Sequence, residues 1–192
     1  MRLAHINNNS SIYGFGNTFA IWTQGCSLKC KGCWNKSMHD FEGGFYIKIE
    51  DLIIQIKEAA NKYNISGVSI LGGEPLEQFE ELLKLIKLIK KLNLGIILYT
   101  GYEKEEIISS GKAEIFDYAD LLISGRYIEE RRNINNHLFG SDNQVMDFLT
   151  DRYKNEEIIN GTYVEIDINE DGRIDMYGYP DDFFDIIKWF IN

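Results

Sequence analysis

An α/β fold, built as an open sheet or a partial βα barrel, is what this sequence predicts, and three observations predict it. Short segments that are apolar throughout alternate with amphipathic stretches of a dozen or more residues, the pattern of βα units around a parallel sheet. At 192 residues the chain is shorter than the roughly 250 that a complete eight-unit barrel takes. No Pro/Gly/Ser-rich linker or internal repeat interrupts it, so residues 1–192 are expected to form a single domain.

The elements follow in order. Residues 19–22 read as a short apolar strand running into a cysteine-bearing loop. Residues 50–63 read as a helix: Leu52, Ile53, Ile56, Ala59 and Ala60 recur at three- and four-residue steps, and Glu50 and Asp51 sit at the favourable positive end. A strand over 67–71 breaks at Gly72-Gly73, and a second helix is expected from about 76 to 92, with Phe79, Leu82, Leu83, Ile86 and Ile89 on one face. Residues 96–99 form a further apolar strand ended by Gly101, followed by a short helix over 104–109 and a strand over 121–123. Beyond Asn133 the pattern changes. Residues 163–168 alternate, Glu170-Asp171-Gly172 is a turn, 174–177 return, and 183–191 close the chain as an amphipathic helix, giving a small C-terminal hairpin and helix extension.

Composition narrows the function classes. With 44% hydrophobic and 26% charged residues the chain has the material for a core, which excludes disordered and low-complexity classes. Thirty Asp and Glu against twenty Lys and Arg give a formal charge of -10, which argues against nucleic acid as a partner. No apolar run reaches the roughly 18 to 20 residues that span a bilayer, and residues 1–10 are polar and Asn-rich, so no membrane association and a cytoplasmic location are expected. Residues 151–192 hold eleven acids and four bases and read as a solvated acidic surface.

All three cysteines, Cys26, Cys30 and Cys33, fall within eight consecutive residues. An odd local triple argues for a metal or cluster rather than a disulfide framework. A structural zinc normally takes four ligands, and the fourth would have to be His39, His5, His137 or a carboxylate. A four-iron cluster held by three thiolates keeps one iron open. The Cys-x3-Cys-x2-Cys spacing favours the open cluster, since zinc modules generally repeat Cys-x2-Cys pairs and nothing here repeats.

The segment Thr23-Gln-Gly-Cys-Ser-Leu-Lys-Cys-Lys-Gly-Cys-Trp-Asn35 resembles the cluster loop of radical S-adenosylmethionine (SAM) enzymes. Within them it is most similar to the activating enzymes of glycyl radical proteins, in the branch that serves anaerobic ribonucleotide reductase. Gly72-Gly-Glu-Pro-Leu76, Leu98-Tyr-Thr-Gly-Tyr102, Gly125-Arg-Tyr-Ile-Glu129 and Gly140-Ser-Asp-Asn-Gln144 extend the resemblance along most of the chain. It implies a partial βα barrel of the radical SAM type, one 4Fe-4S cluster on Cys26, Cys30 and Cys33, and SAM as cofactor. Reductive cleavage of SAM to a 5'-deoxyadenosyl radical would abstract hydrogen from a backbone glycine of a partner, an anaerobic ribonucleotide reductase or related glycyl radical enzyme. A low-potential electron donor such as flavodoxin or ferredoxin is implied as a second partner. No catalytic side chain is expected beyond cluster and SAM.

By the same resemblance, Gly72, Gly73 and Glu74 hold the methionine ammonium of SAM, their loop lying where strand ends of α/β sheets bind ligands. Gly32 and Trp34, flanking Cys33, are expected near the adenine. Thr100 either reaches the ribose or methionine or bonds its own backbone. Tyr13 and Phe15 depart from the family's Asp-Gly-Pro-Gly loop, and Ser124 stands where the family commonly has Asp.

Other features read as structural. Asp167-x-Asn169-x-Asp171-Gly172 resembles part of a calcium loop, but position twelve is Gly178 and the flanking pattern is that of a hairpin. The scattered histidines read as surface or capping residues, with His39 nearest the cluster loop. Two alternatives to the activating enzyme stand beside it: a small-molecule radical SAM enzyme such as a 7-carboxy-7-deazaguanine synthase, which would need a closed polar pocket, and a non-catalytic zinc-stabilised binding protein.

Overall fold

The computed structural model describes residues 1–133, 135–159, 161, 163–168, 171–172 and 174–178. In chain order they form β1 (Arg2–Ser10), β2 (Thr18–Thr23), β3 (Phe45–Tyr46), α1 (Ile49–Tyr63), β4 (Gly67–Gly72), α2 (Phe79–Lys90), β5 (Gly95–Thr100), α3 (Lys104–Ser109), β6 (Leu121–Ser124), β7 (Val145–Phe148), β8 (Val164–Ile168) and β9 (Ile174–Gly178). Seven strands make one mixed sheet in the order β3-β1-β2-β4-β5-β6-β7, with β2, β4, β5 and β6 parallel and both flanks antiparallel. The sheet does not close on itself, so the architecture is a partial βα barrel. A separate two-stranded hairpin, β8-β9, follows it. Among the described residues no helix is long and apolar enough to cross a membrane.

Both faces of the sheet are covered, which is why its parallel strands read as unbroken apolar runs. Phe19, Ile21, Val68, Ile70, Ile96, Leu98 and Leu122 point toward α1 and α2, meeting Leu52, Ile56, Leu82, Leu85, Ile86 and Ile89. The alternate residues Ala20, Trp22, Leu71, Ile97, Tyr99, Leu121 and Ile123 line the other face, packed by Ile12, Tyr13, Phe15, Leu138 and Tyr153. Tyr13 and Phe15 are thus core residues, each about 6% exposed. The hairpin lies against this second face: Tyr177 stacks at 5.5 Å from Trp22, and the Gly178 N–H donates to the Tyr13 hydroxyl at 2.6 Å.

Three elements differ from the sequence reading. The Asn-rich segment expected to be merely polar is β1, the strand between β2 and β3. Its side-chain alternation is broken by register shifts between Leu3 and His5 and between Asn7 and Ser10. The second helix starts at Phe79, after a 3-10 turn over Pro75–Gln78. Gln78, the last residue of that turn, lies outside the α-helical region at φ -112°, and its side chain accepts from Arg2 N–H at 2.7 Å and donates to the carbonyls of Arg2 and Gln24. β7 pairs with β6 and was not foreseen. The hairpin forms as expected around Asp171-Gly172, with Gly172 at φ +83°. The expected helix over 183–191 lies outside the described residues.

Candidate active site

The cysteine loop is built at the carboxyl end of β2. Gly25, at φ +95°, turns the chain out of the sheet, and its N–H donates to Met38 O at 2.9 Å while Cys26 N–H donates to His39 O. These bonds tie the start of the loop to its end. Inside it, Lys29 and Gly32 adopt positive φ, and Cys33 N–H closes a turn onto Cys30 O. Burial pushes the Cys26 and Cys33 thiols up, and backbone N–H groups aimed at the sulfurs, from Leu28 and Lys29 for Cys26 and from Asn35 for Cys33, oppose it.

The second loop leaves β4 beside it. Gly72 sits at φ +121°, and a Cβ there would collide with the Thr23 backbone. A Cβ on Gly73 would collide with the Gly25 carbonyl and lie 2.9 Å from Met38 O. Gly73 N–H donates to Thr23 O at 2.8 Å and Glu74 N–H to Gly25 O at 2.9 Å, so the two loops are stitched together by main chain. Glu74 is fully buried. Its carboxylate accepts from Leu76 N–H at 3.0 Å, the Thr100 hydroxyl at 2.8 Å and Gly101 N–H at 2.8 Å, all neutral donors. Desolvation, opposed by these bonds, pushes its carboxyl up to about 7.

One cleft gathers most of the expected site: Cys26, Cys30, Cys33, Trp34, Gly72, Gly73, Glu74 and Thr100 all line it. Thr100, the last residue of β5, splits its hydroxyl between Glu74 and its own backbone, accepting from Tyr102 N–H at 3.1 Å. Gly32 does not line the cleft, and the Glu129 side chain packs where its Cβ would stand. Trp34 carries the Arg132 guanidinium 5.0 Å above its ring. His39 lines the cleft with its Nε2 buried and unpartnered, whereas His5 bonds Tyr177 and His137 bonds Ile159 O.

Sequence reasoning missed the far wall, Gly125, Tyr127, Gly140 and Gln144. Gln144 organises it, accepting from Gly140 N–H at 2.8 Å and donating to Gly125 O at 3.0 Å. The signal was present in the Gly125 to Glu129 and Gly140 to Gln144 motifs, which carry no chemistry of their own. Ser124 is buried at the end of β6 and does not line the cleft.

Among the described residues, no three His, Cys, Asp or Glu side chains are gathered as ligands of one metal ion. A four-iron cluster takes its thiolates at separate corners, one per iron, and so does not need them to converge on one point. Three thiols facing one cleft, with main-chain N–H groups directed at two of the sulfurs, suit that group.

A family model described as a 4Fe-4S single cluster domain matches residues 12–147. The chain belongs to this family of single-cluster radical SAM proteins. Its curated relatives include the anaerobic ribonucleoside-triphosphate reductase-activating proteins of Vibrio cholerae, 31% identical over 72% of this chain and 92% of the relative, and of phage T4, 30% identical over 73% and 89%. The Escherichia coli K12 protein of the same name is 28% identical over 72% and 92%. In this radical SAM chain the matched residues contain the cysteine loop, the Gly72 to Glu74 loop and Gln144, and end before the β8-β9 hairpin.

Proposed function

We propose that the chain is an iron–sulfur radical SAM enzyme that activates a glycyl radical protein, an anaerobic ribonucleotide reductase. The observation that carries this reading is the convergence of three cysteines and the buried Glu74 on one cleft. Cys26, Cys30 and Cys33 would hold one 4Fe-4S cluster, leaving one iron open to the amino and carboxylate groups of SAM. Together, when bound and reduced by one electron, these groups would supply the cleavage of SAM to methionine and a 5'-deoxyadenosyl radical able to take hydrogen from a backbone glycine.

The protein's own work is positioning. Glu74, a buried carboxylate with neutral donors only, is suited to receive the SAM ammonium, which offsets the cost of its charge. Thr100 orients that carboxylate rather than needing to touch SAM itself. The backbone at Gly72 and Gly73 admits close approach, and Trp34 offers a ring face to the adenine. Gly32 serves the loop's turn, at φ +69°, instead of the adenine. The names of the curated relatives support the reductase as partner, and the electron would come from a flavodoxin or ferredoxin. One domain over residues 1–192 is part of the same reading.

The test is anaerobic. Reconstituted protein given dithionite and SAM should form methionine and 5'-deoxyadenosine slowly, and should raise a glycyl radical doublet in electron paramagnetic resonance when the reductase of the same organism is added. Turnover of a small heterocycle with no protein present would favour the small-molecule alternative, and zinc without iron or sulfide would favour the binding protein.

A further inference from the structure

Beside the cleft runs a second groove that the family match does not account for. One wall is the cysteine loop, through Trp34, Asn35 and Met38, and the other is β9, through Asp175, Met176 and Tyr177. Trp34 and Asn35 line both spaces, so the groove adjoins the cleft. The floor is Trp22, Tyr13 and His5 from the sheet.

The hairpin is fixed to the sheet by its polar face. Glu165 accepts from Asn7 Nδ2 at 2.9 Å and from Ser11 N–H at 2.8 Å, Asp167 accepts from the same amide at 3.2 Å, and Tyr177 bonds His5 at 2.6 Å. The Tyr13 and Tyr177 hydroxyls and His5 Nε2 are engaged in hydrogen bonds, and the three rings line the groove. Its walls include two methionines, Met38 on the cysteine loop and Met176 on β9, a residue type that adapts to irregular apolar surfaces. Such a groove suits an extended chain with small or apolar side chains, and the carboxylate of Asp175 on its hairpin flank disfavours an acidic one.

We propose that this groove is the channel by which the glycine-bearing segment of the partner reaches the cleft, and that the hairpin, outside the family match, is its specificity wall. The inference rests on the activating-enzyme reading and adds to it the path and the element that select the substrate. Met176, 38% exposed, can be enlarged without disturbing a core.

The experiment titrates the anaerobic ribonucleotide reductase against a fixed amount of iron-loaded protein and reads the initial rate of glycyl radical formation. Met176→Trp, which fills the groove, should raise the KM for reductase roughly tenfold while keeping kcat, the signature of lost uniform binding. Ile168→Ser, on an exposed position of the same hairpin that does not line the groove, should match the wild type. Should the tryptophan variant not fold, Met176→Arg serves in its place with the same expectation. An unchanged KM, or a fall in kcat alone, overturns the groove and leaves the enzyme reading intact. A wild-type protein that raises no glycyl radical at any reductase concentration overturns both.

Discussion

Glu74 is the residue on which charge and burial meet. Its folded carboxyl is raised to about 7 from an ordinary 4.5. A carboxyl raised in this way binds its proton more tightly folded than unfolded, so its contribution to stability is fully present below about 4.5 and is lost as pH rises through about 7, amounting to at most about 3 kcal/mol. Urea denaturation of the SAM-free protein across that window should show the loss, and Glu74→Gln should abolish the slope while setting an amide against Gly101 N–H; an unchanged slope would point to another group. SAM affinity should rise over the same interval, as the ammonium draws the carboxylate into its charged form. Gly73 carries a different prediction. If Gly73 served only to admit SAM, a bulky substitution would weaken SAM binding and spare the cluster, but the structure puts the Gly25 and Met38 carbonyls where its Cβ would go. Gly73→Val should therefore reduce iron per chain as well as SAM binding, and full iron retention would contradict this. The cysteines and the Gly72 to Glu74 loop were legible because their chemistry lies in consecutive residues. Gly32 was not, since the side chain that occupies its Cβ position, Glu129, is distant in sequence and meets it only in the fold.

Among the elements, periodicity served where side chains decide the structure and failed where the backbone does. Helix α1 matches the pattern because it buries one face, and strands β4 and β5 because they are buried on both. β1 escapes it: Asn7 is buried and Asn8 exposed, but their neighbours His5 and Asn9 are both half-buried, and two register shifts interrupt the alternation. Just before α2, the Gln78 amide bridges Arg2 and Gln24. Replacing Gln78 with Ala should leave Arg2 N–H and two carbonyls without this partner and cost roughly 1 to 3 kcal/mol. Faster amide exchange at Arg2 would locate the loss, and unaltered exchange would refute it. Leu85→Ala, in the core between α2 and the sheet, should cost about 2 to 5 kcal/mol by opening a cavity, measured by urea denaturation.

For the molecule as a whole, the large core between helices and sheet contains none of the three cysteines. A triple Cys→Ser variant should keep its far-ultraviolet circular dichroism and lose about four irons per chain after anaerobic reconstitution; full iron loading would dispose of the cluster assignment. The opposite end of the sheet is secured independently. Buried Asp120, just before β6, accepts from Lys90 Nζ at 2.9 Å, Ile96 N–H at 2.9 Å and the Thr150 hydroxyl at 2.7 Å, clasping α2, β5 and the segment after β7. That knot frees the far rim for change. With its amino end clasped in this way, the sheet is expected to stay assembled when an exposed position of the carboxyl rim is altered.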